Sequence, residues 1–313
     1  SVAGLFKPCY LMSPMSVSQY LPVSPYFCVV IFDEASQITP WDAVGFISRW
    51  QQDLIVGDNK QLPPTAFFSN QGDGDSDEMV DCESVLEMFG SMFPEMLLKW
   101  HYRSRSESLI SFSNYHIYDN RLHTFPSAET DDNKVSLQIV TGDEAYYDRS
   151  KSRTNSGEGK AVVEEIFTRL RSGASSSIGV VTFSSAQATL ISDLIDAQLL
   201  LEPQFEQAFD VSEPEYVFVK NLENVQGDER DLILFSIGYG KDATGRINKN
   251  FGPLNNSGGE RRLNVAVTRA KCEVKIFSNF HPREFDVTTS ASEGLRLLKE
   301  YLLYAEGGRA SLI

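Results

Sequence analysis

Apolar positions along the chain gather in short runs bounded by Pro, Ser and Gly, and these alternate with longer stretches of helical period. The runs Cys9–Met12 and Phe27–Phe32 are short and β-rich, which predicts buried parallel strands rather than helices. Asp53–Val56 predicts a third strand, and Trp41–Trp50 before it reads as a helix. Strand and helix in turn predict an α/β sheet. Ser69–Ser84, rich in Gly, Asp, Ser and Glu, predicts a flexible acidic loop to which we assign no function, after which Val85–Phe93 resumes a helical pattern.

The pattern restarts near Leu98 with a predicted long helix through Tyr118, a strand at Val135–Val140 and a loop over Asp148–Gly159. Helices at Gly159–Leu170 and Ala186–Leu199 and strands at Ile178–Thr182, Val217–Val219 and Leu232–Ser236 follow. A helix at Leu263–Ala270, a strand at Val274–Ser278 and a helix at Ser292–Tyr304 complete a second α/β sheet. The Gly- and Asn-rich stretch Gly240–Gly259 predicts a mobile or functional loop. The expected organisation is two domains, residues 1–97 and 98–313.

Composition narrows the function classes. A chain of 313 residues with 42% hydrophobic content can bury two medium cores. No run approaches the roughly 18 apolar residues of a membrane-spanning helix, and the start shows no secretory leader, so a cytoplasmic protein is expected. Cys9, Cys28, Cys82 and Cys272 are isolated, which reads as reduced core thiols rather than a disulfide framework or zinc site. A formal net charge of −15 argues against a general basic surface for nucleic acid, so any strand is held locally. Ser1–Lys7 offer no helix cap or turn, and the segment reads as cut from a longer protein.

Two stretches carry candidate chemistry. Val29–Phe32 runs into Asp33 and Glu34. At the carboxyl end of a strand an Asp can hold Mg²⁺ while a neighbouring Glu polarises an attacking water; a pair of solvated acids is the alternative. Leu54–Val56 runs into Gly57 and then Gln61-Leu62-Pro63-Pro64, where the Gln61 amide could sense a γ-phosphate, or the segment could be a turn.

With the acids upstream at this spacing, the two stretches resemble motifs II and III of superfamily 1 helicases, in the subgroup that includes the helicase of nonsense-mediated RNA decay. The resemblance continues along nearly the whole chain. Trp100-His101-Tyr102-Arg103-Ser104 is similar to a stretch neighbouring motif IV, whose Tyr stacks on adenine and whose Arg reaches the γ-phosphate. Gln226-Gly227-Asp228-Glu229-Arg230-Asp231 resembles the QGxExD stretch, whose Glu takes the ribose, and Arg261–Ala270 resembles motif VI, placing an arginine finger at Arg269. The resemblance implies RecA-like parallel sheets of the P-loop NTPase fold, an incomplete first domain carrying motifs II and III, and a complete second domain carrying motifs IV to VI. It implies ATP and Mg²⁺ as cofactors, with Asp33 as the metal ligand, Glu34, Gln61, Arg103 and Arg269 catalytic, and Tyr102, Gln226, Gly227 and Glu229 around the nucleoside. It also implies a bacterial helicase moving along a single strand, DNA rather than RNA, touched by Ser13, Pro63, Pro64, Thr182 and Phe183. Hydroxyls and backbone N–H groups there can hold phosphates without net positive charge, and Phe183 could stack on a base.

The sequence departs from that pattern in one respect. It contains no GxxxxGK[ST] loop: Lys60 lies in the motif III match, and Gly157-Glu158-Gly159-Lys160-Ala161 lacks both the glycine spacing and the hydroxyl. The expectation is that the remainder of the same polypeptide supplies the loop and that these residues alone do not hydrolyse ATP. A binding module that kept the fold and lost catalysis is the competing class.

Overall fold

A computed structural model describes residues 9–24, 27–47, 50–64, 82–126 and 133–312. The acidic loop predicted at Ser69–Ser84 falls mostly outside them, only residues 82–84 being described. The chain divides into two compact units, Ser1–Leu97 and Leu98–Ile313.

In the first unit, helix α1 (Pro14–Tyr20) precedes strand β1 (Phe27–Phe32), helix α2 (Pro40–Ile47), strand β2 (Trp50–Ile55) and helix α3 (Val85–Gly90). The strand predicted at Cys9–Met12 is absent: residues 9–13 are irregular, and Leu11 is 97% exposed. The physical reason lies at Ser13 and Pro14, where the serine hydroxyl caps the Ser16 amide and the proline occupies the first helical turn. β1 and β2 pair in parallel with Phe32 opposite Ile55. Phe32, Ala35, Ala43 and Val85 form a small core, while Val29, Ile31 and Leu54 stay exposed.

The second unit carries a five-stranded, wholly parallel sheet in the order β5-β9-β8-β6-β7, as expected of a RecA-like domain. Its strands are β5 (Val135–Ile139), β6 (Ile178–Thr182), β7 (Phe218–Asn221), β8 (Arg230–Ser236) and β9 (Ala270–Ser278). Helices α5 (Ser156–Arg171) and α6 (Ser185–Leu199) bury Val162, Ile166, Phe167, Ile191 and Ile195 against Val180, Leu232 and Leu234. Strand residues of the other parity face the opposite side, where Phe235 meets Tyr301 of α8 (Glu293–Gly307) at 6.5 Å. Covered on both faces, β6 is buried at every position. Gly179 in β6 is required by its neighbour, because a Cβ there would meet the Phe218 ring at 2.5 Å.

The long helix expected over Leu98–Tyr118 is replaced by a short strand β3 (Trp100–His101) and helix α4 (Ser108–His116). β3 pairs with β4 (His123–Thr124), and the Trp100 ring stacks on Phe125 at 5.1 Å. Between strand and helix, the Ser104 amide donates to His101 Nε2 at 3.2 Å and the Arg105 amide donates to the Lys271 carbonyl at 2.8 Å. These bonds hold the segment extended against β9. The helix expected at Leu263–Ala270 is α7 (Gly259–Val267), and Ala270 already begins β9. The loop expected at Gly240–Gly259 is pinned by the buried side chains of Phe251 and Leu254. Cys9 and Cys28 are exposed and Cys82 and Cys272 half-buried, so the thiols are not the core residues their isolation suggested.

Candidate functional site

In the first unit the ends of β1 and β2 are laced together. The Val56 amide donates to the Phe32 carbonyl at 2.8 Å, and the Ala35 amide donates to the Val56 carbonyl at 2.9 Å. A Cβ on Gly57 would lie 3.0 Å from the Ser36 nitrogen and 3.1 Å from that of Ala35, so a glycine lets the two turns approach. The same turn carries Asp33 and Glu34, both exposed. Glu34 adopts a left-handed conformation (φ 51°), its amide donates to Asp33 Oδ1 at 3.0 Å, and its Oε2 accepts from Gln37 Nε2 at 3.3 Å. Such a conformation at a non-glycine residue costs on the order of 1–3 kcal/mol and clusters at functional sites. Gln61 is held by Asp58, to whose Oδ2 it donates at 3.1 Å, and Pro63 and Pro64 follow it half-buried.

In the second unit, three stretches far apart in sequence meet where β8 and β9 begin. Arg103 Nε donates to Glu229 Oε2 at 2.7 Å, and Lys271 Nζ lies 3.2 Å from Glu229 Oε1. The Arg103 hydrogen bond, with Lys271 behind it, holds the Glu229 carboxyl below the usual range. About a third of the Arg103 side chain is exposed, and an ion pair of that kind stabilises by roughly 0–1 kcal/mol, so it opens at little cost. Burial and the adjacent Arg103 charge lower His101 to about 4, so its ring is neutral and its Nε2 accepts from the Ser104 amide. Tyr102 beside it is 85% exposed. Gln226 is half-buried, and Gly227 turns the chain at φ 89°.

Arg269 is only 2% exposed. Its Nε donates to the Val265 carbonyl at 2.7 Å, folding the guanidinium back on the C-terminal end of α7, where a cation meets the orphan carbonyls of the last turn. The Arg230 amide donates to the Arg269 carbonyl at 3.2 Å, so the motif VI match adjoins the 226–231 stretch.

The residues expected to touch a strand sit in unlike settings within their own units. Ser13 is a helix cap rather than the end of a strand. Thr182 ends β6 as expected, but its side chain is buried and its hydroxyl donates to the Ser184 carbonyl at 2.8 Å. Phe183 is 2% exposed and packs edge-on against Phe235, so its ring is a core element and not a stacking surface for a base. The alternation of β6 explains this, since β6 is covered on both faces and the residue after it points into the second of them.

Sequence reasoning missed a buried polar cluster at the carboxyl ends of β6 and β8. Glu158, fully buried, accepts from Ser236 Oγ at 2.8 Å and from the Gly238 amide at 2.6 Å. Desolvation pushes its carboxyl up to about 8 against the pull of those two bonds. Gln187 clamps Asn155 from both sides, its Oε1 accepting from the Asn155 amide at 2.9 Å and its Nε2 donating to the Asn155 carbonyl at 3.1 Å. The signal was available: Asn155-Ser156-Gly157-Glu158 has the spacing of a helix capping box, and the Glu158 amide does donate to Asn155 Oδ1. Lys271 was also missed, although it directly follows the motif VI match.

Among the described residues, no helix is long and apolar enough to cross a membrane. Residues 82–281 match the model of the AAA domain family. An uncharacterized ATP-dependent helicase of Mycoplasma genitalium is 37% identical over 96% of this chain and 27% of its own length. A probable helicase of Arabidopsis thaliana, MAGATAMA 3, is 28% identical over 80% of this chain and 30% of its own. The solved PRRSV helicase aligns over 80% of this chain and 34% of its own, at 14% identity and a TM-score of 0.39. The chain therefore spans 27–34% of the length of these proteins. The resemblance to superfamily 1 helicases read from the motifs agrees with what the relatives are named, and the match over residues 82–281 shows that the chain belongs to the AAA domain family.

Proposed function

We infer that the chain is part of an ATP-dependent helicase or translocase motor that hydrolyses ATP to move along a single strand of nucleic acid, DNA rather than RNA. The observation that carries this reading is the convergence of Arg103, Glu229 and Lys271 from three separate stretches. In this reading ATP separates the Arg103–Glu229 pair: Glu229 turns to the ribose, and Arg103 is freed for the γ-phosphate, where a planar, permanent cation neutralises charge developing on the transferring oxygens. Tyr102, exposed beside it, offers a ring to the base, with Gln226 and Gly227 lining the nucleoside. Arg269 is the second finger and must leave its helix end to serve.

The first unit contributes the chemistry of the attacking water, with Glu34 polarising it and Gln61 positioning it. Asp33 is exposed at a strand end with one carboxylate oxygen taken by the Glu34 amide, which leaves the other for Mg²⁺ and fits a single-carboxylate ligand. When bound, the ion neutralises phosphate charge. We assign the two units to parts of two RecA-like domains, the first completed by polypeptide that also carries the P-loop; the bare apolar face at Val29, Ile31 and Leu54 supports this, since parallel sheets are normally covered on both faces. The nucleotide groups lie where β8 begins and Thr182 lies at the level where β8 ends. Seven residues at about 3.3 Å each put these regions roughly 20 Å apart along one rigid strand. Glu34→Gln in the intact protein is expected to abolish phosphate release while ATP binding, read by fluorescent nucleotide titration, stays within about twofold; undiminished turnover would remove Glu34 from the mechanism.

A further inference from the structure

We propose that the loop from Asp148 to Asn155, through Arg149, Lys151 and Arg153, grips the phosphate backbone of a single-stranded nucleic acid. The proposal rests on the motor reading and adds to it a contact surface that none of the helicase motifs contains.

The charge pattern is local and out of character for the chain. Three cations fall within five residues of a protein that has 28 basic against 43 acidic side chains. All three are exposed, and among the described residues none of them sits in an ion pair, whereas Lys160, Arg169, Arg171 and Lys241 each do. The acid within the loop is turned inward onto the loop's own donors, and three cations against this one carboxylate leave the loop net positive. The Asp148 carboxylate accepts from the amides of Ser150, Lys151 and Ser152 at 3.2–3.3 Å and from the hydroxyls of Ser150 and Ser152 at 3.1 and 3.2 Å. Glu144 nearby is occupied by Lys160.

The loop is also fixed in place. The Arg153 amide donates to the Asp148 carbonyl at 2.8 Å with Arg153 in a left-handed conformation (φ 58°), and the Asp148 amide donates to the Thr154 carbonyl at 2.9 Å. Asn155 is then clamped by Gln187 at the start of α6. Wound around its own aspartate, the loop has a fixed backbone from which Arg149, Lys151 and Arg153 extend exposed, so binding need order only their side chains.

Its position joins it to the end of β6. Tyr147 and Tyr239 lie 5.2 Å apart, and Gln187, which clamps Asn155 at the end of the loop, donates its own backbone amide to the Ser184 hydroxyl at 3.2 Å. The loop is thus linked through Gln187 to the turn that follows Thr182. Tyr146, two residues before the loop, is 39% exposed. Cations with an adjoining aromatic and polar turn are what a phosphodiester chain requires, and the loop presents no apolar side chain for insertion into a lipid surface.

The test uses this 313-residue chain and 5′-labelled oligothymidylate and oligouridylate 20-mers, with binding read by fluorescence anisotropy across a salt series. Removing three phosphate contacts lowers the slope of log K against log salt by about 2 and weakens binding at least about tenfold at moderate salt. The variant is Arg149→Ala/Lys151→Ala/Arg153→Ala, and Arg149→Lys/Arg153→Lys is expected to bind within twofold of the wild type. Thermal melts should coincide, because the altered groups have no partners to lose. An unchanged slope and affinity in the triple variant overturns the grip while leaving the motor reading intact. If the wild-type chain binds neither oligonucleotide, or binds only anionic vesicles, the grip fails; the motor reading fails with it only if strand also leaves phosphate release by the intact protein unchanged.

Discussion

Glu158 gives the most quantitative prediction. Its carboxyl is fully buried and shifted from 4.5 to about 8 by desolvation. Because the folded-state value lies above the unfolded one, the folded chain holds the proton more tightly. The stabilisation is fully present below pH 4.5 and is lost as the pH rises toward about 8. The slope in that window reaches at most about 1.4 kcal/mol per pH unit, and relaxation around the buried charge should bring the loss between pH 5 and 7 to roughly 2 kcal/mol. Glu158→Gln keeps an oxygen for Ser236 and the Gly238 amide and cannot ionise. It should therefore flatten the slope, match the wild type within about 1 kcal/mol at pH 5, and exceed it by roughly 2 kcal/mol at pH 7. Glu158→Ala strips the acceptor from two buried donors and should cost roughly 2–6 kcal/mol at pH 5, and roughly 2 kcal/mol less than that at pH 7, since it too cannot ionise. Urea unfolding followed by circular dichroism from pH 5 to 8 measures all three proteins. A Gln variant that keeps the wild-type slope, or is the less stable of the two at pH 8, would refute the assignment of a neutral buried carboxyl.

Phe183→Leu should leave oligonucleotide affinity within twofold, as its ring is in the core, whereas Phe183→Ala should cost about 3–5 kcal/mol in urea unfolding. Gly179→Ala forces a methyl into the Phe218 ring and should destabilise the second unit by about 1–3 kcal/mol. Arg103→Ala in the intact protein should lower kcat for ATP at least about a hundredfold with stability changed by less than about 1 kcal/mol, since the ion pair it leaves is half-exposed. Gly57→Ala should lower kcat in the intact protein by displacing the Glu34–Ser36 turn, with the loss visible in steady-state phosphate release.

The parallel sheet of the second unit was legible through its two central apolar runs, Ile178–Val181 in β6 and Leu232–Phe235 in β8, whose shortness and β-branched content suit strands covered on both faces. Ile178–Thr182 is the clearest case. Trp100–Tyr118 was not legible as a strand, a turn and a helix, since β3 has two residues and is held by a ring stack and by a bond to Lys271, contacts with no local signature. Cys9–Met12 misled through composition: a serine and a proline just beyond it start a helix, and the apolar side chains remain in solvent. At the candidate site, the motif resemblance singled out Arg103 and Glu229 separately, and only the fold pairs them. Phe183 erred in the opposite way. A ring after a strand suggests a stacking surface, but the parity of β6 directs it inward.

The most direct test of the central claim is phosphate release from ATP and Mg²⁺ by the intact protein and by residues 1–313, each with and without single-stranded DNA or RNA. The account predicts turnover by the intact protein alone, stimulated by strand and DNA above RNA, and none by residues 1–313. Turnover by residues 1–313 would contradict the expectation that a P-loop elsewhere in the polypeptide is required, and absence of turnover in both would contradict the motor itself.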